Sequence, residues 1–111
     1  MEVHSELGPG LLESVYETCL AYELAQRGLK VERQVPVNVR YKEQEFDSAL
    51  RLDLLVEGSV IVELKAVEEI APIHTAQALT YLKLTGKKLC LLLNFNTVHL
   101  RHGIKRVVLD L

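Results

Sequence analysis

The stretch that decides the fold of this chain is DLLVEGSVIVELK, residues 53–65. Two apolar runs flank the turn-forming pair Glu57 and Gly58, a pattern typical of a β-hairpin. Asp53 lies in the first strand, while Glu63 and Lys65 share one face of the second because strand side chains alternate. Pairing of the two strands would place Asp53 beside Glu63. The hairpin therefore predicts a cluster of two carboxylates and one ammonium group.

This charge cluster has two interpretations. Carboxylate oxygens suit Mg²⁺ or Mn²⁺, and the carbonyl group between Glu63 and Lys65 offers a further hard ligand. A lysine beside such an ion can position water or stabilise charge on a phosphate. Alternatively, Asp53 and Glu63 are solvated strand residues, with Lys65 paired to one of them. The apolar neighbours in residues 60–66 favour the first interpretation, because charges on a buried strand need partners.

The sequence before the hairpin predicts a helix and a long strand. Apolar residues recur at helical spacing from about residue 11 to residue 27, and Gly28 provides a stop. Glu13 lies on the same line of this helix as Tyr16, so its carboxylate is expected near the buried stripe. Residues 31–41 alternate as a strand, and a polar turn at 42–45 leads into a second strand at 46–56. The apolar residues expected on one face of that second strand are Leu50, Leu52, Leu54 and Val56.

The sequence after the hairpin predicts a second helix and further strands. Pro72 opens a helix that runs to about Leu84 and ends at Gly86. Residues 88–95 predict a strand buried on both faces, followed by short strands at 98–101 and 104–109. This order predicts one α/β domain over residues 1–111, with a central mixed β-sheet flanked by helices.

Gln77 and Tyr81 form a polar pair on the second predicted helix. Their i, i+4 spacing places both on one face, which is expected to be semi-buried. They are interpretable as a helix hydrogen bond and a core tyrosine. Beside a metal site they would instead orient water, substrate or Lys65.

Composition narrows the classes of protein to consider. The chain has 49% hydrophobic and 25% charged residues, an ordinary globular balance. Its net charge of −2 argues against a passive nucleic-acid binder but less against a nuclease, whose carboxylates are neutralised by bound cations. Cys19 and Cys90 show no zinc or disulfide spacing, so both are expected to be reduced. Without a long apolar run or a signal pattern, we expect a cytosolic protein.

The motif GLLESVY, residues 10–16, reads as GxxExxY, and the chain resembles the GxxExxY protein family, a compact branch of the PD-(D/E)XK nuclease superfamily. The similarity also covers residues 53–58, 62–66, 77–82, 94–95 and 103–106. It implies a restriction-endonuclease-like core that lacks part of the N-terminal helix of that family. By position, Glu13, Asp53 and Glu63 match metal-binding acids. Lys65 matches the catalytic lysine, and Gln77 and Tyr81 match a QxxxY motif.

The resemblance implies a Mg²⁺- or Mn²⁺-dependent phosphodiesterase acting on DNA, or less readily RNA. Arg51, Arg101 and Arg106 are the residues expected to meet substrate phosphates. The alternative function is a non-catalytic module that uses the nuclease fold to bind a protein or nucleic acid. A homodimer is a further expectation, because a small chain gains substrate surface by pairing.

Overall fold

The computed structural model describes Val3, Leu7, residues 12–96, Leu100 and residues 103–109. Within the ranges from residue 12 onwards, two helices and five strands follow one another along the chain. Their order is α1 (Glu13–Gln26), β1 (Val31–Tyr41), β2 (Gln44–Val56), β3 (Val60–Lys65), α2 (Pro72–Thr85), β4 (Leu89–Asn94) and β5 (Ile104–Val108).

The five strands form one mixed sheet in the order β1-β2-β3-β4-β5. Strands β3 and β4 are parallel and are connected through α2, whereas the other neighbouring pairs are antiparallel. Strand β3 is therefore central, which explains why four of its six residues are buried. The predicted α/β fold, a mixed sheet flanked by helices, is confirmed.

Local sequence explains where the elements end. Helix α1 ends at Gln26, and Gly28 then turns the chain with a φ of 83°, in the left-handed region that glycine tolerates. Helix α2 begins at Pro72, and the ring Nδ1 of His74 accepts a hydrogen bond from the free amide of Ala71. The predicted turn at 42–45 is shorter in the structure. Lys42 and Glu43 alone form it, both with positive φ, as a type I′ hairpin turn requires.

The core consists of one apolar cluster on each side of the sheet. Helix α1 contributes Tyr16 and Ala21 to the first cluster, and helix α2 contributes Ala78 and Leu82 to the second. Strand residues of the first cluster include Leu54, Val56, Val62, Leu64 and Leu93, and those of the second include Leu52, Leu55, Ile61, Cys90, Leu92 and Val107.

The face assigned to Leu52 from the sequence is wrong. Leu52 packs on the α2 side of the sheet, whereas Leu54 packs on the α1 side. Regular alternation would place both on one face. The alternation of β2 is therefore interrupted at Asp53.

Of the two strands expected near the end of the chain, one lies largely outside the described residues. Of the predicted strand at 98–101 only Leu100 is described, and it lies in a 3₁₀ turn. The strand expected at 104–109 is present as β5. No helix in the described ranges is long and apolar enough to cross a membrane.

Candidate active site

Asp53 and Glu63 lie side by side where β2 meets β3. The β2–β3 ladder pairs Leu54 with Val62, so Asp53 and Glu63 occupy the next facing positions. The Leu64 amide donates to Asp53 Oδ2 at 2.9 Å, and the Asp53 amide donates to Glu63 Oε1 at 3.3 Å. Each acid therefore binds the backbone of the other's strand, and the carboxylate pair predicted from the hairpin is brought together.

Glu63 is a buried acid beside another acid. Its side chain is 5% exposed. Burial, and then the negative charge of Asp53, raises the pKa of Glu63 from its ordinary 4.5 to about 9, although the charge of Lys65 acts in the opposite direction. In the metal-free protein Glu63 therefore keeps its proton at neutral pH, because burial and the charge of Asp53 disfavour a second carboxylate there.

Lys65 ends β3 on the same side as Glu63 and is half-buried. Its charge acts on Glu63 and also on the buried thiol of Cys90. No ion pair of 4.0 Å or less joins Lys65 to Glu63 within the described ranges. The ammonium group is thus close enough to influence the acids without being held against one of them.

Glu13 reaches the same end of β3 from helix α1. The residue is exposed, in contrast to the buried stripe expected from the sequence. Its Oε1 accepts a hydrogen bond of 3.1 Å from the Ala66 amide, immediately after Lys65. This bond positions the Glu13 carboxylate beside the charge cluster.

Aromatic stacking fixes helix α1 against this end of the sheet. Tyr16 is fully buried and stacks on Phe95, with ring centroids 4.3 Å apart and an interplanar angle of 18°. The Phe95 amide in turn donates to the Lys65 carbonyl at 2.9 Å. The stacking of Tyr16 on Phe95 therefore positions two site residues. It holds Glu13, which lies one helical turn before Tyr16, and it holds the end of β3 at Lys65.

Asn94 fastens the segment that follows β3. Its side chain is 2% exposed. Asn94 Oδ1 accepts from the Val67 amide at 3.1 Å, and Asn94 Nδ2 donates to the Val67 carbonyl at 2.8 Å. This two-bond contact holds the backbone just beyond Lys65 in place.

Helix α2 contributes Tyr81, while Gln77 lies further out. Burial, followed by the charges of Glu63 and Asp53, raises the pKa of Tyr81 above its ordinary value. Gln77 is exposed, so the expected semi-buried stripe includes Tyr81 but not Gln77. The two residues share a helix face, but Gln77 lies one turn before Tyr81, where that face is no longer covered by the sheet.

The arginines expected to meet phosphate are spread over the sheet. Arg51 is exposed on β2, two residues before Asp53. Arg106 is exposed on the edge strand β5, opposite Leu91, and lies three strands from β2, or roughly 14 Å at ~4.8 Å per strand. Arg101 lies outside the described residues. The structure thus places Arg51 near the acids and Arg106 away from them.

The carboxylate pair fits a divalent cation in its donor chemistry. Asp53 and Glu63 offer adjacent hard oxygens, and a cation between them would offset their mutual repulsion. The described residues nevertheless contain no group of three or more His, Cys, Asp or Glu side chains arranged to hold a metal ion. Glu13 Oε1 accepts from the Ala66 amide just as Asp53 Oδ2 and Glu63 Oε1 accept from backbone amides, so these bonds do not set Glu13 apart from the pair.

Three residues near the site were missed from the sequence. Glu17 is 7% exposed, Arg33 pairs with it at 3.0 Å, and Gln34 also donates to it. Glu17 lies four residues after Glu13, so the i, i+4 rule applied to acids would have placed both on one face. A cavity of about 180 Å³ is lined by Glu13, Ser14, Glu17, Gln34, Asp53 and Leu64.

No curated protein and no solved structure was found to match the chain. Residues 1–107 match the model of one family. That match covers the Asp53 and Glu-x-Lys elements described above. The chain belongs to the PD-(D/E)XK nuclease superfamily.

Proposed function

We propose that the protein is a Mg²⁺- or Mn²⁺-dependent phosphodiesterase that cleaves DNA, and that it belongs to the GxxExxY branch of its superfamily. The observation that carries the proposal is the Asp53–Glu63 pair, joined by reciprocal bonds to the two backbones, with Lys65 beside it. A mixed sheet that keeps a carboxylate 5% exposed next to another carboxylate bears a cost in stability. This cost is expected if the two acids serve to bind a cation for a reaction.

Each residue then has a role set by its place. Asp53 and Glu63 would hold the cation, with Glu13 as a third acid. A bound cation would polarise the phosphate and lower the pKa of the attacking water. Lys65 would donate to the water or to a phosphate oxygen and so counter the negative charge that develops.

Helix α2 and the arginines act around this centre. Tyr81 is protonated at neutral pH, since its pKa is raised further above the ordinary value of 10.0, so it offers an O–H donor near the acids. Gln77, exposed one turn earlier, would contact substrate. Arg51 and Arg106 would contact phosphates of the nucleic acid, the latter at some distance from the cut. We propose DNA as the substrate before RNA, a cytosolic location and a homodimer as accompanying predictions.

The test is cleavage of single-stranded and double-stranded DNA and of RNA, with Mg²⁺ or Mn²⁺. We expect cleavage by the wild type that requires the ion and is lost in Glu63→Ala and Lys65→Ala. Glu45→Ala and Lys42→Ala are matched controls, because both residues are exposed on the β1–β2 hairpin, away from the acids. Cleavage that survives Glu63→Ala would contradict the proposal. Binding without cleavage under every condition would favour the non-catalytic module.

A further inference from the structure

Glu17 ties helix α1 to one point of strand β1. Its Oε2 accepts from Arg33 Nε at 3.3 Å and from Arg33 Nη2 at 3.0 Å. Its Oε1 accepts from Gln34 Nε2 at 2.5 Å. A buried charge persists only when it is paired and hydrogen-bonded, and Glu17 meets both conditions. Both of its oxygens are therefore engaged in holding β1.

Gln34, which Glu17 binds, has an unusual backbone conformation. Its φ is 49°, in the left-handed region that residues other than glycine seldom adopt. The β1–β2 register pairs Arg33 with Leu54 and Val35 with Leu52, but Gln34 has no partner in it. The unpaired position opposite Gln34 is Asp53. Strain of this kind persists where surrounding contacts enforce it and is common at functional sites.

The break in the ladder coincides with the break in side-chain alternation. Leu52 packs on the α2 side and Leu54 on the α1 side, so the change of face falls at Asp53. There the Asp53 carboxylate accepts a hydrogen bond from the Leu64 amide of β3, and the Asp53 amide donates one to the Glu63 carboxylate. In a regular ladder Asp53 would pair with Gln34 of β1, the pair that is missing from the register.

We propose that Glu17 and Gln34 are positioning residues, which keep β1 out of the ladder opposite Asp53 and thereby orient the Asp53 carboxylate. The inference rests on the proposed function for the metal that Asp53 would bind, but the orientation itself is independent of it. Arg33 neutralises Glu17, and this separates the role of Glu17 from that of Asp53 although the two acids line the same cavity.

The test replaces Gln34 by valine, whose branched side chain disfavours positive φ and favours a regular strand. Gln44→Val is the matched control, because Gln44 is an exposed glutamine of β2 near the far turn. Gln34→Gly is the rescue, because glycine adopts positive φ without the bond to Glu17. The readouts are Mn²⁺ affinity by calorimetry and hydrogen exchange of the Leu64 amide by NMR, without metal. Circular dichroism verifies folding, and Gln34→Thr replaces Gln34→Val if that variant does not fold.

We expect Gln34→Val to weaken Mn²⁺ binding at least tenfold and to speed Leu64 exchange at least tenfold. Gln44→Val should change either by less than twofold, and Gln34→Gly should recover more than half of each loss on a logarithmic scale. Unchanged Leu64 exchange in Gln34→Val would overturn the positioning role. Faster exchange in that variant, together with a wild type that binds no Mn²⁺, would uphold the positioning role and overturn the proposed function.

Discussion

Glu17 and Glu63 are both acids of the protein interior, with exposed fractions of 7% and 5%, yet their surroundings are opposite. Glu17 is met by the guanidinium of Arg33 and the amide of Gln34. Glu63 lies beside a second acid, Asp53, whose negative charge raises the pKa of Glu63. Arg33 neutralises the charge of Glu17, whereas burial and the charge of Asp53 make Glu63 retain a proton at neutral pH. The difference separates the support of the site from the site itself.

The largest effect expected from this comparison is the pH dependence that Glu63 imposes on metal-free protein. Because the pKa of Glu63 rises from 4.5 unfolded to about 9 folded, the folded state retains a proton that the unfolded state releases. The loss of folding stability that results from this pKa shift is absent below pH 4.5 and grows as pH rises towards 9. Glu63→Gln removes it, so the melting temperature should rise, by on the order of 10 °C at pH 8.

Melting curves from pH 4 to pH 9 in the presence of a chelator provide the measurement. The gain from Glu63→Gln should increase steadily with pH and vanish near pH 4. Glu45→Gln, on an exposed part of β2, is the control and should give a flat difference. An increase in melting temperature from Glu63→Gln that is equal at all pH values would contradict the raised pKa of Glu63.

The next effect comes from removing the partner of Glu17. Arg33→Met keeps most of the apolar stem but leaves the buried carboxylate with Gln34 alone. We expect a loss of about 2 kcal/mol in the free energy of unfolding, measured in urea. Arg40→Met, at an exposed position of the same strand, should cost less than about 0.5 kcal/mol. Equal losses of unfolding free energy in Arg33→Met and Arg40→Met would show that Glu17 does not depend on Arg33, and the contrast with Glu63 would not hold.

Much of the fold could be predicted from the sequence because its signals are local. The periodicity of α1 and the Glu57-Gly58 turn each lie within a short window, and the structure has both. The alternation of β1 holds from Val35 onwards but not across Gln34, because Val31 packs on the α1 side and Val35 on the α2 side. Asp53 and Glu63 could be paired because a tight turn leaves few choices of register.

The rest of the site depends on contacts between distant segments. Alternation alone placed Leu52 with Leu54, because nothing local to β2 reveals that Gln34 leaves the ladder. Glu17 was missed because its partners lie 16 and 17 residues further along the chain. Gln77 was placed by helical spacing, which gives the face but not how far the apolar contact extends.

The smallest effect concerns the hydroxyl that helps to orient Arg33. Thr18 Oγ1 accepts from Arg33 Nη2 at 3.0 Å and donates to the Ser14 carbonyl at 3.0 Å. Thr18→Val should cost about 0.5 kcal/mol, because the bonds are exposed to water. Thr80→Val is a close control, since Thr80 makes the same bond to the carbonyl four residues earlier. A loss in Thr80→Val that equals or exceeds the loss in Thr18→Val, measured in urea, would show that the Arg33 contact contributes nothing.

The most direct test of the central claim, that Asp53 and Glu63 form a carboxylate pair built for a cation, is the melting temperature with and without Mn²⁺. We predict that Mn²⁺ raises the melting temperature of the wild type at pH 8. Glu63→Gln should melt higher than the wild type without the ion and gain little when it is added. Equal Mn²⁺-induced increases in wild type and Glu63→Gln, or a metal-free Glu63→Gln that melts below wild type, would contradict the claim.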